Sequence, residues 1–346
     1  MSKTLVQRAF RYRFYPTEGQ AAELSRTFGC VRLVYNKALE ARTTAWREEQ
    51  RRIGYAAAKY PRFKSRKRSR CTAEYTRSGF RWRDGQLTLA KMAQPLAIVW
   101  SRPLPEGSEP STVTISRDAA GRWHCSILVE TTVQHLPSTR AEVGIDAGIS
   151  SLLTLDHPIP GLTDDQGKVD NPRHERRDRD RLVKAQRILA RKTKGSNNRA
   201  RARIAVARVY ARIADRRRDL LHTLSTRLVR DNQTIVIEDL NVVGMVGNHR
   251  LARAIHDASW SAFRSMLEYK AAACGRTVIA VSRWLPSSKT CSGCGQVKVV
   301  LSLRERVFHC HACGLVLDRD VNAARTILAA GRAVAACGAG VRPIRR

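Results

Sequence analysis

The chain is short of acidic residues and has no long apolar run. Only 30 Asp and Glu stand against 63 Lys and Arg in 346 residues, a formal charge of +33 and a pI near 11.0. No stretch approaches the ~18 consecutive apolar residues of a membrane-spanning helix. The opening MSKTLVQRAFRYRF lacks the continuous apolar core of a secretion signal. No internal repeat is found. These absences set aside membrane-embedded and secreted classes, and the expectation is a cytoplasmic protein without a membrane partner.

The acid deficit points to a partner. A compact chain with so much like charge repels itself, and a polyanion covering the basic surface relieves that repulsion. Nucleic acid fits best, since each neutralised phosphate also releases a counterion. A membrane-surface protein and a ribosomal-type binder are the plainer alternatives. Hydrophobic residues make up 43%, enough for a folded chain. The length suits one large core or two to three smaller units.

Along the chain, residues 5–15 alternate loosely and read as a strand ending at Pro16. Thr17 is a good cap for a helix over about 18–50, with Leu24, Phe28, Val31, Val34, Tyr35, Ala38 and Leu39 at helical spacing. A basic stretch follows, Pro61-Arg62-Phe63-Lys64-Ser65-Arg66-Lys67-Arg68. Residues 79–133 are rich in short strands separated by Gly and Pro, which suggests a small β-barrel or sandwich with the helix inserted between its strands. A second unit begins near 140 with the strand Glu142–Asp146 and a hairpin partner over 152–155. Residues 173–218 form an Arg-rich helical region, 18 Lys or Arg against four acids, broken at Gly195-Ser196-Asn197-Asn198 with Asn198 a candidate cap. Leu182, Ala185 and Leu189 share one face, and Ile213, Leu220, Leu224 and Leu228 another. Arg208, Arg212 and Arg216 recur every four residues on a different face. Further strands are expected at 234–238 and 277–281, a helix at about 258–274, and a last helix from near Asp320.

The strongest chemical signal is Cys291-x2-Cys294-x15-Cys310-x2-Cys313. Two knuckles of two cysteines offer four thiolates to a tetrahedral Zn²⁺, and four protein ligands make that ion structural rather than catalytic. Gly293, Gly295 and Gly314 suit tight knuckle turns. His309 and His311 flank Cys310 as bystanders. Cys30, Cys71, Cys125, Cys274 and Cys337 lack paired spacing and read as small buried hydrophobes. The second signal is a trio of acids: Asp146 interrupts one apolar strand, Glu238 ends another, and Asp320 opens a helix. A carboxylate at the end of an apolar strand is costly unless paired or bound to metal. Three of them could converge on two Mg²⁺ for phosphodiester cleavage. Each also has a plainer reading: Asp146 in a turn, Glu238 in an ion pair, Asp318 or Asp320 as a helix cap.

In their order, Gly144-Ile145-Asp146-Ala147-Gly148, Ile237-Glu238-Asp239-Leu240-Asn241, the cysteine knuckles and Asp318-Arg319-Asp320-Val321-Asn322-Ala323-Ala324 resemble the TnpB family. So do Tyr12–Thr17, Tyr35-Asn36, Pro61–Lys64, Trp260-Ser261-x-Phe263 and Ser287–Gly295, so that nearly the whole chain is covered. The resemblance implies a transposon-encoded, RNA-guided DNA endonuclease related to type V CRISPR effectors. It implies a multidomain α+β chain: a β-barrel wedge (1–16 and 79–139), a helical recognition insertion (17–78), a RuvC-like nuclease domain of RNase H fold (140–286 and 317–346), and a zinc-ribbon insert (287–316). The implied partners are a guide RNA from the transposon end and a double-stranded DNA target beside a short flanking motif. The implied catalytic and Mg²⁺-binding acids are Asp146, Glu238 and Asp320, the last chosen over Asp318 because it precedes x-Asn. Candidate nucleic-acid contacts are Tyr15, Lys37, Arg62, Phe63, Lys64, Arg66, Lys67, Arg208, Arg212, Arg216 and Lys289. One departure stands out: about a dozen residues separate Trp46 from Tyr60, where family members usually have a few dozen more. A guided binder that does not cut and a transposase are the alternatives.

Overall fold

The computed structural model describes residues 5–51, 71–133, 135–302 and 304–337. It divides into two compact units, Met1–Val133 with Leu189–Arg208, and Gln134–Ile188 with Val209–Arg346.

The first unit opens with β1 (Leu5–Phe14), in which Phe10, Tyr12 and Phe14 are buried on one face. Helix α1 (Glu18–Glu49) starts at Thr17 in a capping box: the Thr17 hydroxyl accepts from the Gln20 amide, and the Gln20 side chain accepts from the Thr17 amide. Strands β2 (Cys71–Thr76), β3 (Phe80–Arg83), β4 (Gln86–Leu89), β5 (Ile98–Val99), β6 (Pro110–Arg117) and β7 (Trp123–Thr132) follow. Five of them pair in the order β2-β6-β7-β1-β5, while β3 and β4 form a separate hairpin. Among the described residues β2 and β5 are unpaired edges, so the sheet is open and the expected closed barrel is not seen. Ring packing of Phe28 on Trp123, centroids 5.8 Å apart, seats α1 on this sheet.

The second unit is built on a mixed sheet of β8 (Glu142–Ala147), β9 (Ser151–Leu155), β10 (Lys168–Asp170), β11 (Thr234–Glu238) and β12 (Thr277–Val281), in the order β10-β9-β8-β11-β12. The first three pair antiparallel, and β11 and β12 add parallel to β8. Helices α2 (His174–Ala190) and α3 (Asn197–Asp231) intervene. The Ser196 hydroxyl, not Asn198, accepts from the first turn of α3 at the Arg199 amide, 3.1 Å. Next come α4 (Val242–Val246), α5 (Ala252–Ala258) and α6 (Trp260–Cys274). The helix expected over about 258–274 is α6, set off from the preceding α5 at Ser259, whose φ is +56°. Strands β13 (Val307–His309) and β14 (Val316–Asp318) form a small hairpin before α7 (Arg319–Ala336).

Strand alternation sorts the core. Ile235 and Ile237 pack with Leu224, Leu228, Trp260, Phe263 and Leu267, whereas Val236 packs with Ile327 and Leu328 of α7. Gly144 is where α7 comes closest: a Cβ there would meet the Ala324 carbonyl oxygen and lie 2.7 Å from Leu328 Cβ. Only glycine allows that approach. Among the described residues no helix is long and apolar enough to cross a membrane. Of the five cysteines outside the knuckles only Cys125 is buried; Cys30, Cys71 and Cys337 are exposed, because they fall on polar faces or at element ends.

Candidate metal centres

Strands β8 and β11 run side by side in parallel, with Ile145 opposite Ile237. Asp146 and Glu238 therefore emerge at the same end of neighbouring strands. Each lies two residues beyond a position that packs on α7, Gly144 and Val236, so period-two alternation turns both toward the α7 face. The first turn of α7 carries Asp320. Burial, with the charges of Asp320 and Glu238 acting the same way, pushes the Asp146 carboxyl up to about 7. Burial also raises Glu238, against a hydrogen bond donated by the Ser287 hydroxyl at 3.4 Å. The Arg319 guanidinium lies 3.2 Å from Asp320.

The neighbouring acids are spent elsewhere. Asp318 caps α7, accepting from the amides of Asp320 and Val321 at 3.0 and 3.2 Å, and pairs with Lys168 at 2.6 Å. These donors hold its carboxyl below the usual range. Asp239 pairs with Arg264 at 2.5 Å and with Arg283.

The four cysteines gather more tightly. Their sulfurs all lie within 4.8 Å of one another, with Cys291–Cys313 and Cys294–Cys310 at 3.6 Å. A tetrahedron with Zn–S bonds of about 2.3 Å has edges of about 3.8 Å, so the set fits such an ion. The knuckles match each other: Gly295 N–H donates to the Cys291 carbonyl and Gly314 N–H to the Cys310 carbonyl, both at 2.9 Å. Both glycines have positive φ, +77° and +73°. Among the described residues no other set of three or more metal-ligating side chains is gathered so closely, and the carboxylates of Asp146, Glu238 and Asp320 lie farther apart.

Asn322 served in the sequence only to mark Asp320, yet it joins the two candidate centres. It is fully buried on α7, accepts from the Ser292 amide at 2.9 Å and donates to the Thr290 carbonyl at 2.7 Å. Its signal was a polar residue on the apolar face of the Asp320–Ala324 motif.

The candidate nucleic-acid contacts are scattered. Tyr15 and Lys37 are exposed in the first unit, and Lys37 pairs with Glu40 at 3.3 Å. Arg208, Arg212 and Arg216 share an exposed face of α3, with Arg216 engaged to Asp178 at 2.9 Å. Lys289 donates to the Val299 carbonyl at 3.2 Å. Arg62, Phe63, Lys64, Arg66 and Lys67 lie outside the described residues.

Comparison with known proteins agrees with the motif order. Residues 126–249 match the OrfB_IS605 family model, described as "Probable transposase"; residues 260–327 match the Cas12f1-like TNB domain, and residues 1–51 a helix-turn-helix domain of OrfB_IS605. A Streptomyces pristinaespiralis protein named "Putative RNA-guided DNA endonuclease" is 57% identical over 383 residues, covering 98% of this chain and 93% of that protein. InsQ of Escherichia coli, which bears the same description, is 34% identical over 68% of this chain and 60% of its own length. A solved complex of Cas12f1 with sgRNA and target DNA has a TM-score of 0.46 and 14% identity, over 74% of this chain and 58% of that one. At 57% identity across almost the full length of a relative, the chain belongs to the OrfB_IS605/TnpB family.

Proposed function

We propose that this protein is an RNA-guided DNA endonuclease whose Asp146, Glu238 and Asp320 hold the catalytic metal. The observation that carries this reading is the gathering of carboxylates from β8, β11 and α7: burial, reinforced by the charges of Asp320 and Glu238, raises Asp146 to about 7. Neighbouring, partly buried carboxylates are unfavourable as bare anions, and their oxygens suit a hard divalent cation such as Mg²⁺. A pair of such ions supplies an activated water and steadies the leaving oxygen of a phosphodiester. The chain itself provides placement. Parallel pairing aligns Asp146 with Glu238, Ser287 holds the Glu238 carboxylate, and the Asp318 cap fixes the turn from which Asp320 projects.

In this reading the second unit is a RuvC-like nuclease of RNase H type, consistent with three antiparallel strands extended by two parallel ones. The cysteine knuckles bind a structural zinc. The guide RNA, derived from the transposon end, supplies sequence recognition by pairing. The partner DNA is a duplex carrying a short flanking motif. The test is guided cleavage by purified protein with its copurifying RNA and Mg²⁺. Asp146→Ala or Glu238→Ala should lower cleavage at least about 10³-fold while RNA binding persists. Undiminished cleavage by either variant would sink the assignment.

One observation favours a second reading, guided binding without cutting. The alignment to the 57% identical relative spans 383 positions against 346 residues here, so this chain lacks residues the relative has. Retained target binding with no cleavage by the unsubstituted protein would select it, and strand-transfer products would select a transposase instead.

A further inference from the structure

A cavity of about 700 Å³ opens in the second unit, walled by the start of α2, by Ile149 three residues beyond Asp146, and by the segment entering α5. Five arginines line it, and charge accounting separates them. Arg179 is neutralised by Glu175 at 2.7 Å. The wall's other acid, Asp257, accepts from the Glu175 amide at 3.0 Å and pairs with Arg217 at 2.7 Å. No acid remains for Arg173, Arg176, Arg250 and Arg253: all four are exposed, and none has a side-chain partner among the described residues. His174, buried between Arg173 and Glu175, has both ring nitrogens unpartnered. Four uncompensated guanidinium groups around one concavity repel each other and concentrate positive potential. Neither packing nor internal ion pairing explains them.

We propose that this cavity binds consecutive backbone phosphates of an unpaired nucleic-acid strand, and that the strand is the DNA entering the Asp146 site. Guanidinium forks suit phosphate oxygens. Ile149 ties the cavity to Asp146: it follows that strand directly, and its carbonyl accepts from the Asn171 side chain at 2.9 Å in the same wall. A strand held by Arg173, Arg176, Arg250 and Arg253 is thus delivered toward the carboxylates. The contacts are to backbone, so they hold any sequence. The inference rests on the nuclease reading for its direction, not for its chemistry.

The experiment measures affinity of the RNA-loaded full chain for a single-stranded DNA with no complementarity to the guide, which stays unpaired, across a KCl series, by fluorescence anisotropy. Each phosphate contact contributes about 0.7 to the slope of log K against log salt for a single strand. Arg176→Gln with Arg253→Gln should therefore lower the slope by about 1.4. Arg176→Lys with Arg253→Lys keeps the charges and should restore most of it. An unchanged slope in the Gln variant overturns the proposal. So does an equal fall in the Lys variant, because the positive charge at these positions would then not account for the slope. The same series against free guide RNA separates the sources: a slope change for RNA alone overturns the DNA assignment. A wild-type protein that shows the slope but cuts no DNA defeats the nuclease reading and leaves the phosphate site standing.

Discussion

The four thiolates and the three carboxylates are the two candidate ligand sets, and the chain assembles them by different routes. The thiolates come from two short knuckles within residues 291–313, each closed by its own glycine turn. Little beyond the local backbone is needed to bring them together. The carboxylates come from positions 146, 238 and 320, and they meet only because a sheet and a helix pack correctly. The first set tolerates a loosened core; the second does not tolerate a shifted helix. Asn322 makes the relation asymmetric, because the knuckles dock on the helix that carries Asp320.

The harshest way to test that asymmetry is to remove the thiolate centre. Cys310→Ser, or zinc chelation, should release zinc and expose amides over residues 287–318 to hydrogen exchange, leaving β8, β11 and β12 protected. Structural zinc contributes roughly 10–16 kcal/mol of apparent binding free energy in small zinc domains, so the local effect should be large. Cleavage should fall, and Mg²⁺ alone should not restore it. Full rescue by Mg²⁺ alone would contradict a structural role for zinc.

A milder change acts in the opposite direction. Gly144→Ala places a methyl against the Ala324 carbonyl and 2.9 Å from the Leu328 amide nitrogen, so α7 must move off β8. Overpacking of this kind costs about 1–3 kcal/mol. Thermal stability and cleavage should both drop while zinc content stays at one ion per chain. Loss of zinc along with activity would mean the two centres do not assemble separately.

The same contrast governs what was legible in the sequence. Knuckle spacing is a local signal and survives any packing, so the cysteine set could be read directly. The acids were legible as residue types on apolar strands, and family resemblance supplied their joint role. Their convergence depended on alternation past Gly144 and Val236, which no single motif states. The open first-unit sheet was missed because short strands separated by turns do not reveal whether the ends pair. Asn198 reads as a candidate cap where Ser196 does the capping, because Ser and Asn side chains both suit the role. The four unpaired arginines were hidden within a general basic excess. Only positions in space show that Glu175 and Asp257 are already engaged while Arg173, Arg176, Arg250 and Arg253 are not.

The smallest expected effect concerns pH. Asp146 ionises near 7 in the fold, against 3.8 for an unperturbed aspartate. Between those values the folded protein holds a proton that the unfolded chain has released, so stability falls as pH rises. Below about 4 both states are protonated and the cost vanishes; above about 7 both are ionised and the cost is constant. In Mg²⁺-free buffer with zinc retained, the melting temperature should therefore decline between pH 5 and pH 8. Asp146→Asn cannot ionise and should flatten that part of the curve. Metal at the carboxylates competes with the proton, so adding Mg²⁺ should stabilise the protein more at pH 8 than at pH 5. The thiolate set predicts no such gain, since Mg²⁺ prefers oxygen ligands. Identical melting curves for the wild type and Asp146→Asn at all pH values would show that neither burial nor the neighbouring acids shift Asp146, and would reduce the contrast between the two centres to one of spacing alone.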